Sequence, residues 1–459
     1  MSYNIVIIGA GPGGYVAAIR AARLGAKVAV VEKDEVGGTC LNRGCIPTKT
    51  LACGAELLNN IRRAAEFGIA TGEVMVDFSR LMERKNKVVA QLVAGVNYLI
   101  KKNKIDLIRG TARLQAPGKV RVAAAGGGEI ILTAENIVIA TGTEPALITA
   151  LGYDGELVLT SNEALNVAAI PEKMLVIGGG VIGCEFACIF NTLGSKVTVL
   201  EVMPAILPAL DREAAKTMQG LLKRQGITVK TKAHILEVKK SAGTVAAVLE
   251  SGEEIAADRA LISIGRTMNS GGLGLEEAGV AVGGRGEVIV NDKLETSVPG
   301  IYAIGDITGK IQLAHVASAQ GVVAVDNILG RPREMDYRVI PNCIFTHPEV
   351  AGVGLTTQEA QEKGINVKSG KFSFIASGKA QAMGETSGFV KILADPDNDR
   401  VLGVHIVGPR ATDLIAEAAL AVKMGITVQQ LTETVHAHPT LSEAVLEAAE
   451  AVHGMSIHT

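Results

Sequence analysis

No part of this 459-residue chain carries a long run of one charge, and 45 Lys and Arg stand against 47 Asp and Glu for a formal net charge of −2. That balance argues against a nucleic acid or an anionic membrane held by bulk charge. Long apolar runs are missing too. The run Ile5 to Ile8 is short, meets Gly9 at once and has no basic segment ahead of it, so no secretory leader is expected. The stretch Met174 to Phe190 is broken by four glycines and contains Glu185, which speaks against a membrane helix. Cysteine is scarce: Cys40, Cys45, Cys53, Cys184, Cys188 and Cys343 are all there is. Six in so long a chain do not make a structural disulfide framework, and any disulfide here is expected to be catalytic. The expectation is a soluble, cytoplasmic protein with no membrane partner.

Glycine is plentiful at 53 residues, and its placement matters more than its count. The chain is too long for one hydrophobic core, so two to four domains are expected. Asn4 to Ile8 reads as a buried parallel strand. Gly9-Ala-Gly-Pro-Gly-Gly14 follows, then a helix expected from about Tyr15 to Leu24, stopped by Gly25. A second strand runs over Lys27 to Val31 and ends at Glu32. The pattern recurs: strand Met174 to Ile177, turn Gly178-Gly-Gly-Val-Ile-Gly183, helix Cys184 to Leu193, strand Lys196 to Leu200, then Glu201.

Each copy sets G-x-G-x-x-G between strand and helix, as Gly9, Gly11 and Gly14 and again as Gly178, Gly180 and Gly183. The first glycine permits the tight turn, the second lets backbone approach a pyrophosphate, and the third lets the helix pack on the sheet. The helix N-terminus then offers free N–H groups to phosphate. Glu32 and Glu201 each lie 18 residues past the last glycine, where a carboxylate can bind ribose hydroxyls. One such loop is weak evidence, whereas two complete copies point to two dinucleotides. Glu201 suits a free 2′-OH and repels a 2′-phosphate, which favours NAD over NADP.

A long packed helix is expected from Asp77 to about Asn103, with Leu81, Val88, Val89, Leu92, Val96 and Leu99 at helical spacing. Glu295 to Asp306 reads as turn, strand and Gly-Asp. From about Tyr337 the texture becomes α+β, with strands near 372–374, 389–393 and 401–407 and helices near 410–424 and 442–452.

Gly37-Gly-Thr-Cys40-Leu-Asn-Arg-Gly-Cys45-Ile-Pro-Thr-Lys49 follows the first strand–helix–strand unit. If this stretch starts a helix, the two sulfurs can come within disulfide range, and the helix N-terminus favours a thiolate. Two unrelated buried thiols are an alternative. So is half of a zinc site, which would need ligands that Cys53 alone does not supply. Cys184 and Cys188 read as packed residues, and Cys343 as structural.

GGTCLNRGCIPTK resembles the redox-disulfide signature of the pyridine nucleotide-disulfide oxidoreductases, and the similarity extends over the whole chain. Ala140-Thr-Gly142 resembles the family's second flavin-site strand. Thr296 to Asp306 resembles its third flavin motif, and Leu313 to Gly321 the segment covering the flavin ring edge. His436-Ala-His438-Pro-Thr-Leu-Ser-Glu443 resembles its C-terminal catalytic stretch. The resemblance implies an α/β fold of two Rossmann-like FAD- and NAD-binding domains plus a C-terminal α+β dimerisation domain. The expected layout is 1–145 for FAD, 146–270 for NAD, 271–338 as a central segment completing the FAD site, and 339–459 for dimerisation. The implied cofactors are FAD and NAD, with no metal. Cofactor contacts carried over are the two glycine loops with Glu32 and Glu201, then Gly38, Thr39, Lys49, Gly110, Ala112, Thr141, Gly142, Asp306, Ala314, His315, Ala233 and Gly265.

The same resemblance assigns roles. Cys40 is the interchange thiol of a Cys40–Cys45 disulfide, and Cys45 lies against the flavin. Lys49 places a positive charge near the flavin, with Glu185 its ion-pair partner. His438 is the base and Glu443 orients it, both supplied by the other subunit of a homodimer, while His436 ranks below His438. A cis peptide is expected before Pro439. Within the family, HPTLSEA and Glu201 fit oxidation of protein-bound dihydrolipoamide with NAD best. The lipoyl group would come from a partner, a carrier domain of a 2-oxoacid dehydrogenase or glycine-cleavage complex. A glutathione-reductase-like enzyme would want basic residues near 201, and a mercuric-reductase-like one a C-terminal cysteine pair that the tail lacks. A non-catalytic structural subunit is the remaining alternative, against which Cys40, Cys45, His438 and Glu443 together speak. There are two departures. Met268 replaces Pro in Gly265-Arg-Thr-Met-Asn269, which bears on the nicotinamide-side loop. Val316 and Gln320 stand where the family often has Lys and Glu, which bears on charge at the flavin edge.

Overall fold

A computed structural model describes residues 1–458. The chain divides into two compact units. The first comprises Met1–Leu51, Ser79–Ala146 and Gly265–Asp336; the second comprises Ala52–Phe78, Leu147–Ile264 and the chain from Tyr337 on.

In the first unit, strand Ser2–Ile8 lies between Val28–Glu32 and Glu129–Ile139, parallel to both, with Ile5 opposite Val28 and Ile7 opposite Val30. Asp106–Ala116 and Ile301–Ala303 extend the parallel sheet on either side. Lys119–Ala124 joins Asp106–Ala116 to Glu129–Ile139 as an antiparallel meander. A parallel sheet is covered on both faces, so Ile5, Val6 and Ile7 are consecutive and all fully buried. Each such side chain stabilises the fold by about 1.5–3 kcal/mol. Helix Pro12–Arg23 packs on helix Ala314–Ile328 through small residues: a Cβ on Gly321 would stand 2.7 Å from the Gly13 carbonyl oxygen.

The second unit repeats the plan. Its parallel sheet runs Thr228–Thr231, Lys196–Glu201, Lys173–Ile177, Arg259–Ile262 and Val158–Leu159, beside a three-stranded antiparallel sheet built from Ile235–Ser241, Thr244–Leu249 and Glu254–Ala257. From Asn342 onward, five antiparallel strands pack against helices Ala411–Met424 and Glu443–Val452 around Ile392, Val404, Ile415 and Val445. The C-terminal α+β texture is thus present where it was expected. Both glycine-loop helices start earlier than apolar periodicity suggested, at Pro12 and Val181. Pro12 is pre-set for a first helical turn, because its missing N–H has no intrahelical partner to lose. The long helix spans Phe78–Lys102.

One buried ion pair ties the C-terminal sheet to the rest of the second unit. Asp211 caps helix Arg212–Arg224, accepts from Thr357 N–H and Oγ1 at 3.0 and 2.7 Å, and pairs with Lys391 Nζ at 3.1 Å. Burial pushes its carboxyl up, but the Thr357 donors and the charges of His405 and Lys391 outweigh burial and hold it well below the usual carboxylate range. A depressed folded-state value means that this stabilisation is complete above about pH 4 and is lost as pH falls below it. Lys391→Met leaves Asp211 buried and unpaired. We expect a loss of roughly 3 kcal/mol, read as a lowered thermal midpoint, with partial recovery in Asp211→Asn/Lys391→Met.

Candidate active site

The two glycine loops superimpose in their constraints. Gly9 has φ +104° and Gly178 φ +108°; a Cβ on either would stand 2.4 Å from a carbonyl oxygen, of Ala140 and Ser263 respectively. Cβ atoms on Gly14 and Gly183 would lie 1.9 and 2.0 Å from the carbonyl oxygens of Gly9 and Gly178. These four positions exclude a side chain. The middle glycines differ. Nothing lies within 4 Å of a Cβ on Gly180, and only the Gly38 Cα, at 4.0 Å, near one on Gly11. Helices Pro12–Arg23 and Val181–Leu193 begin at Gly11 and Gly180 with no side-chain cap. Their first-turn N–H groups therefore face outward with the positive end of the helix dipole, as a pyrophosphate requires.

A buried carboxylate closes each loop. Glu32 accepts from Ala10 N–H at 2.7 Å and Asp34 N–H at 2.8 Å. Glu201 accepts from Gly179 N–H at 2.6 Å and Met203 N–H at 2.8 Å. Each carboxylate oxygen retains a lone pair for a ribose hydroxyl. No basic residue occurs between Glu201 and Arg212, which suits a free 2′-OH. Both cradles thus fit a dinucleotide. Ala233 donates its N–H to the Glu201 carbonyl at 2.9 Å.

Several expected flavin contacts gather in the first unit. Thr141 and Asn269 exchange hydrogen bonds at 2.9 and 3.0 Å, and Asn269 N–H donates to the Gly142 carbonyl at 3.0 Å. Thr143 Oγ1 donates to Asp306 at 2.8 Å and accepts from Arg266 Nε at 2.6 Å. Burial pulls the Arg266 guanidinium below its ordinary value, against the charges of Asp306 and Glu144. Sequence reading named neither Thr143 nor Arg266 for the site. Their partners lie more than a hundred residues away, and although Arg266 stands within the Gly265–Asn269 motif, no local pattern marks Thr143. Gly110 leaves no room for a side chain, since a Cβ would meet the Ala123 carbonyl at 2.3 Å, and Ala112 is buried in the same strand. Gly38 and Thr39 open helix Gly38–Arg43; Ala314 and His315 open helix Ala314–Ile328. Gly265 has φ +128° and open space where a Cβ would stand.

The departures have structural uses. Met268 is buried in the first unit's core, Val316 is fully buried, and buried Gln320 accepts the Gly305 N–H at 2.6 Å.

The cysteine segment is two helices. Cys40 sits in Gly38–Arg43, Gly44 breaks the run, and Cys45 is the first residue of Cys45–Arg62. Both side chains are half-buried. A hydrogen bond with the Cys45 side chain, then burial, pushes the Cys40 thiol far above its ordinary value, while the Lys49 charge pulls the other way. Lys49 lies one helical turn past Cys45. Glu185, in the second unit, is buried and accepts the Phe345 N–H at 3.0 Å. Cys184 and Cys188 are buried, and Cys343 packs against the C-terminal core, as expected. Among the described residues no group of three or more His, Cys, Asp or Glu could hold a metal ion, and no helix is long and apolar enough to cross a membrane.

In the second unit, His438 Nδ1 meets Glu443 Oε1 at 2.8 Å, and Glu443 Oε2 accepts the Thr440 N–H at 2.8 Å. Burial raises the Glu443 carboxyl, but the Thr440 N–H and His438 outweigh it and hold it below its ordinary value. The His438 ring is 77% exposed, while the His436 ring is only 5% exposed. The His438–Pro439 peptide is cis, as is His347–Pro348.

Two dinucleotide cradles, a paired thiol and a carboxylate-oriented histidine define a nucleotide-dependent thiol–disulfide oxidoreductase. Residues 3–321 match the family model for pyridine nucleotide-disulphide oxidoreductases and residues 340–449 the model for that family's dimerisation domain, and the chain belongs to this family. It is 46% identical to a dihydrolipoyl dehydrogenase of Bacillus subtilis, over 99% of both chains. It is also 46% identical to a dihydrolipoyl dehydrogenase of Thermus scotoductus, over 100% of this chain and 99% of that one. Among solved structures, it matches LpdA from Mycobacterium tuberculosis with a TM-score of 0.92 at 30% identity, over 97% of this chain and 98% of that one. The HOCl-induced flavoprotein disulfide reductase RclA from Escherichia coli matches with a TM-score of 0.88 at 31% identity, over 98% and 99%.

Gly183→Ala places a methyl group against the Gly178 carbonyl and must displace the helix start. The variant should purify yellow with bound flavin while its KM for NAD rises at least about tenfold, the effect of losing about 1.4 kcal/mol of binding. An unchanged KM would mean that this loop does not hold NAD.

Proposed function

We propose that this chain is an NAD-dependent dihydrolipoyl dehydrogenase, which oxidises protein-bound dihydrolipoamide through Cys40 and Cys45. The observation that carries the reading is the pairing of those two thiols, with Lys49 one turn on, in the unit that also holds the first dinucleotide cradle. Full-length identity of 46% to dihydrolipoyl dehydrogenases, against 31% to the RclA reductase, supports this branch of the family over the others.

His438 takes the proton of one substrate thiol while Glu443 holds the opposite ring nitrogen and stabilises the imidazolium. The substrate thiolate attacks Cys40 in the Cys40–Cys45 disulfide; an S–S bond forms to Cys40, the old one breaks, and Cys45 leaves as a thiolate. The second substrate thiol then attacks the first substrate sulfur. Cys40 is released and takes a proton from His438, which then takes up the proton of the second substrate thiol, and the cyclic disulfide leaves. Bound FAD supplies the two-electron relay from the enzyme dithiol to NAD. The balance is dithiol plus NAD+ giving disulfide, NADH and a proton.

Gly9, Gly11, Gly14, Glu32, Gly38, Thr39, Gly110, Ala112, Thr141, Gly142, Asp306, Ala314 and His315 hold FAD in this reading. Gly178, Gly180, Gly183, Glu201, Ala233 and Gly265 hold NAD. Lys49 supplies positive charge beside the flavin. Segments 1–145 and 271–338 serve FAD, 146–270 serves NAD, and 339–459 forms the homodimer, in which His438 of one protomer serves the cysteines of its partner. The exposure of the His438 ring supports that use. The substrate is carried by lipoyl domains of 2-oxoacid dehydrogenase or glycine-cleavage complexes, and the compartment is the cytoplasm, where thiols stay reduced.

With dihydrolipoamide and NAD the purified protein should form NADH rapidly, and far more slowly with NADP. Cys45→Ser should abolish turnover, and His438→Ala should slow it about 10²–10⁴-fold. A yellow protein that leaves dihydrolipoamide untouched would overturn the substrate and redirect the search to another dithiol or disulfide.

A further inference from the structure

The loop that presents His438 has a second clasp. His436 lies two residues earlier with its ring almost wholly buried, and both ring nitrogens face acceptors. Nδ1 is 2.8 Å from the Thr434 carbonyl oxygen, and Nε2 is 2.8 Å from Glu417 Oε1. A carbonyl oxygen only accepts, so Nδ1 is the donor to Thr434, and Nε2 is turned to the carboxylate. Glu417 stands on helix Ala411–Met424, which Ala411, Ile415 and Ala418 fix to the C-terminal sheet. Downstream of His438 the chain is clipped again, by Thr440 N–H to Glu443 and by Thr440 Oγ1 to the Ala437 carbonyl at 2.7 Å. Residues 433–442 lie between helices Val428–Thr432 and Glu443–Val452 with no regular secondary structure to set their course. The downstream clip fixes the His438 ring relative to Glu443. Upstream, among the described contacts, the link from this loop to a long helix is His436–Glu417.

We propose that His436 and Glu417 are positioning residues for thiol exchange, and that their clasp holds the backbone ahead of His438 so that its free ring nitrogen meets the substrate thiol. The inference rests on His438 being the base. An error of about 1 Å in a reacting group costs on the order of 10²-fold in rate. Releasing the clasp therefore lowers kcat and leaves KM for the dithiol nearly unchanged.

The test compares Glu417→Ala, Glu417→Gln, His438→Ala and the Glu417→Ala/His438→Ala double variant in the flavin-loaded dimer. Dihydrolipoamide–NAD turnover is read beside NADH–ferricyanide turnover, which needs no thiol exchange. Glu417→Ala should lose about 10–100-fold in kcat with dihydrolipoamide and little with ferricyanide. Glu417→Gln keeps an acceptor for His436 and should recover most of the loss. In the His438→Ala background, Glu417→Ala should add almost nothing, because no base remains to be positioned. Multiplying losses in the double variant, an equal fall with ferricyanide, or unchanged kcat in Glu417→Ala would each overturn the proposal. Full activity in His438→Ala would instead overturn the assignment of the base.

Discussion

A carboxylate at the end of a strand accepts the N–H of a glycine turn, and this contact occurs twice: Glu32 with Ala10, and Glu201 with Gly179. Each bond spans from the second strand of a βαβ unit back to the turn after the first. It locks the turn against the sheet and leaves the following helix uncapped. An uncapped, glycine-started helix is a poor device for stability alone, since its first N–H groups lack partners. It serves a chain that must receive a phosphate there. The buried apolar strands hold the carboxylate in place, the third glycine brings the helix onto its own turn, and the cysteine segment follows directly from the first of these units.

Most of this was legible in the sequence because it is local. Gly9, Gly11, Gly14 and Glu32 lie within 24 residues; Gly9 and Gly14 leave no room for a side chain, and Glu32 accepts the N–H of the turn. The His438–Glu443 pair is equally local, its members five positions apart on a turn and the following helix start. The amphipathic C-terminal helices appear at Ala411–Met424 and Glu443–Val452, close to where periodicity set them.

What escaped was long-range or conformational. The relay Arg266–Thr143–Asp306 joins two strand starts and the turn after Ile301–Ala303, which nothing in the chain's order brings together. The cysteine segment reads as a single helix start, whereas the structure ends one helix at Gly44, a residue type that favours helix C-termini, and begins another at Cys45. Helix starts at Pro12 and Val181 were hidden because glycine argues against helix on propensity, while close packing on Gly9 and Gly178 demands it. His436 looked like a weaker copy of His438. Burial and the Glu417 contact, which are invisible along the chain, separate the two.

The central claim is that electrons enter this protein through Cys40 and Cys45. The most direct measurement adds one equivalent of dihydrolipoamide per chain to the oxidised protein, without NAD and without oxygen, then alkylates the thiols and maps them by peptide mass. The account predicts two newly labelled cysteines per chain, Cys40 and Cys45, with Cys53, Cys184, Cys188 and Cys343 unchanged. An unchanged labelling pattern, or new label elsewhere, would contradict it.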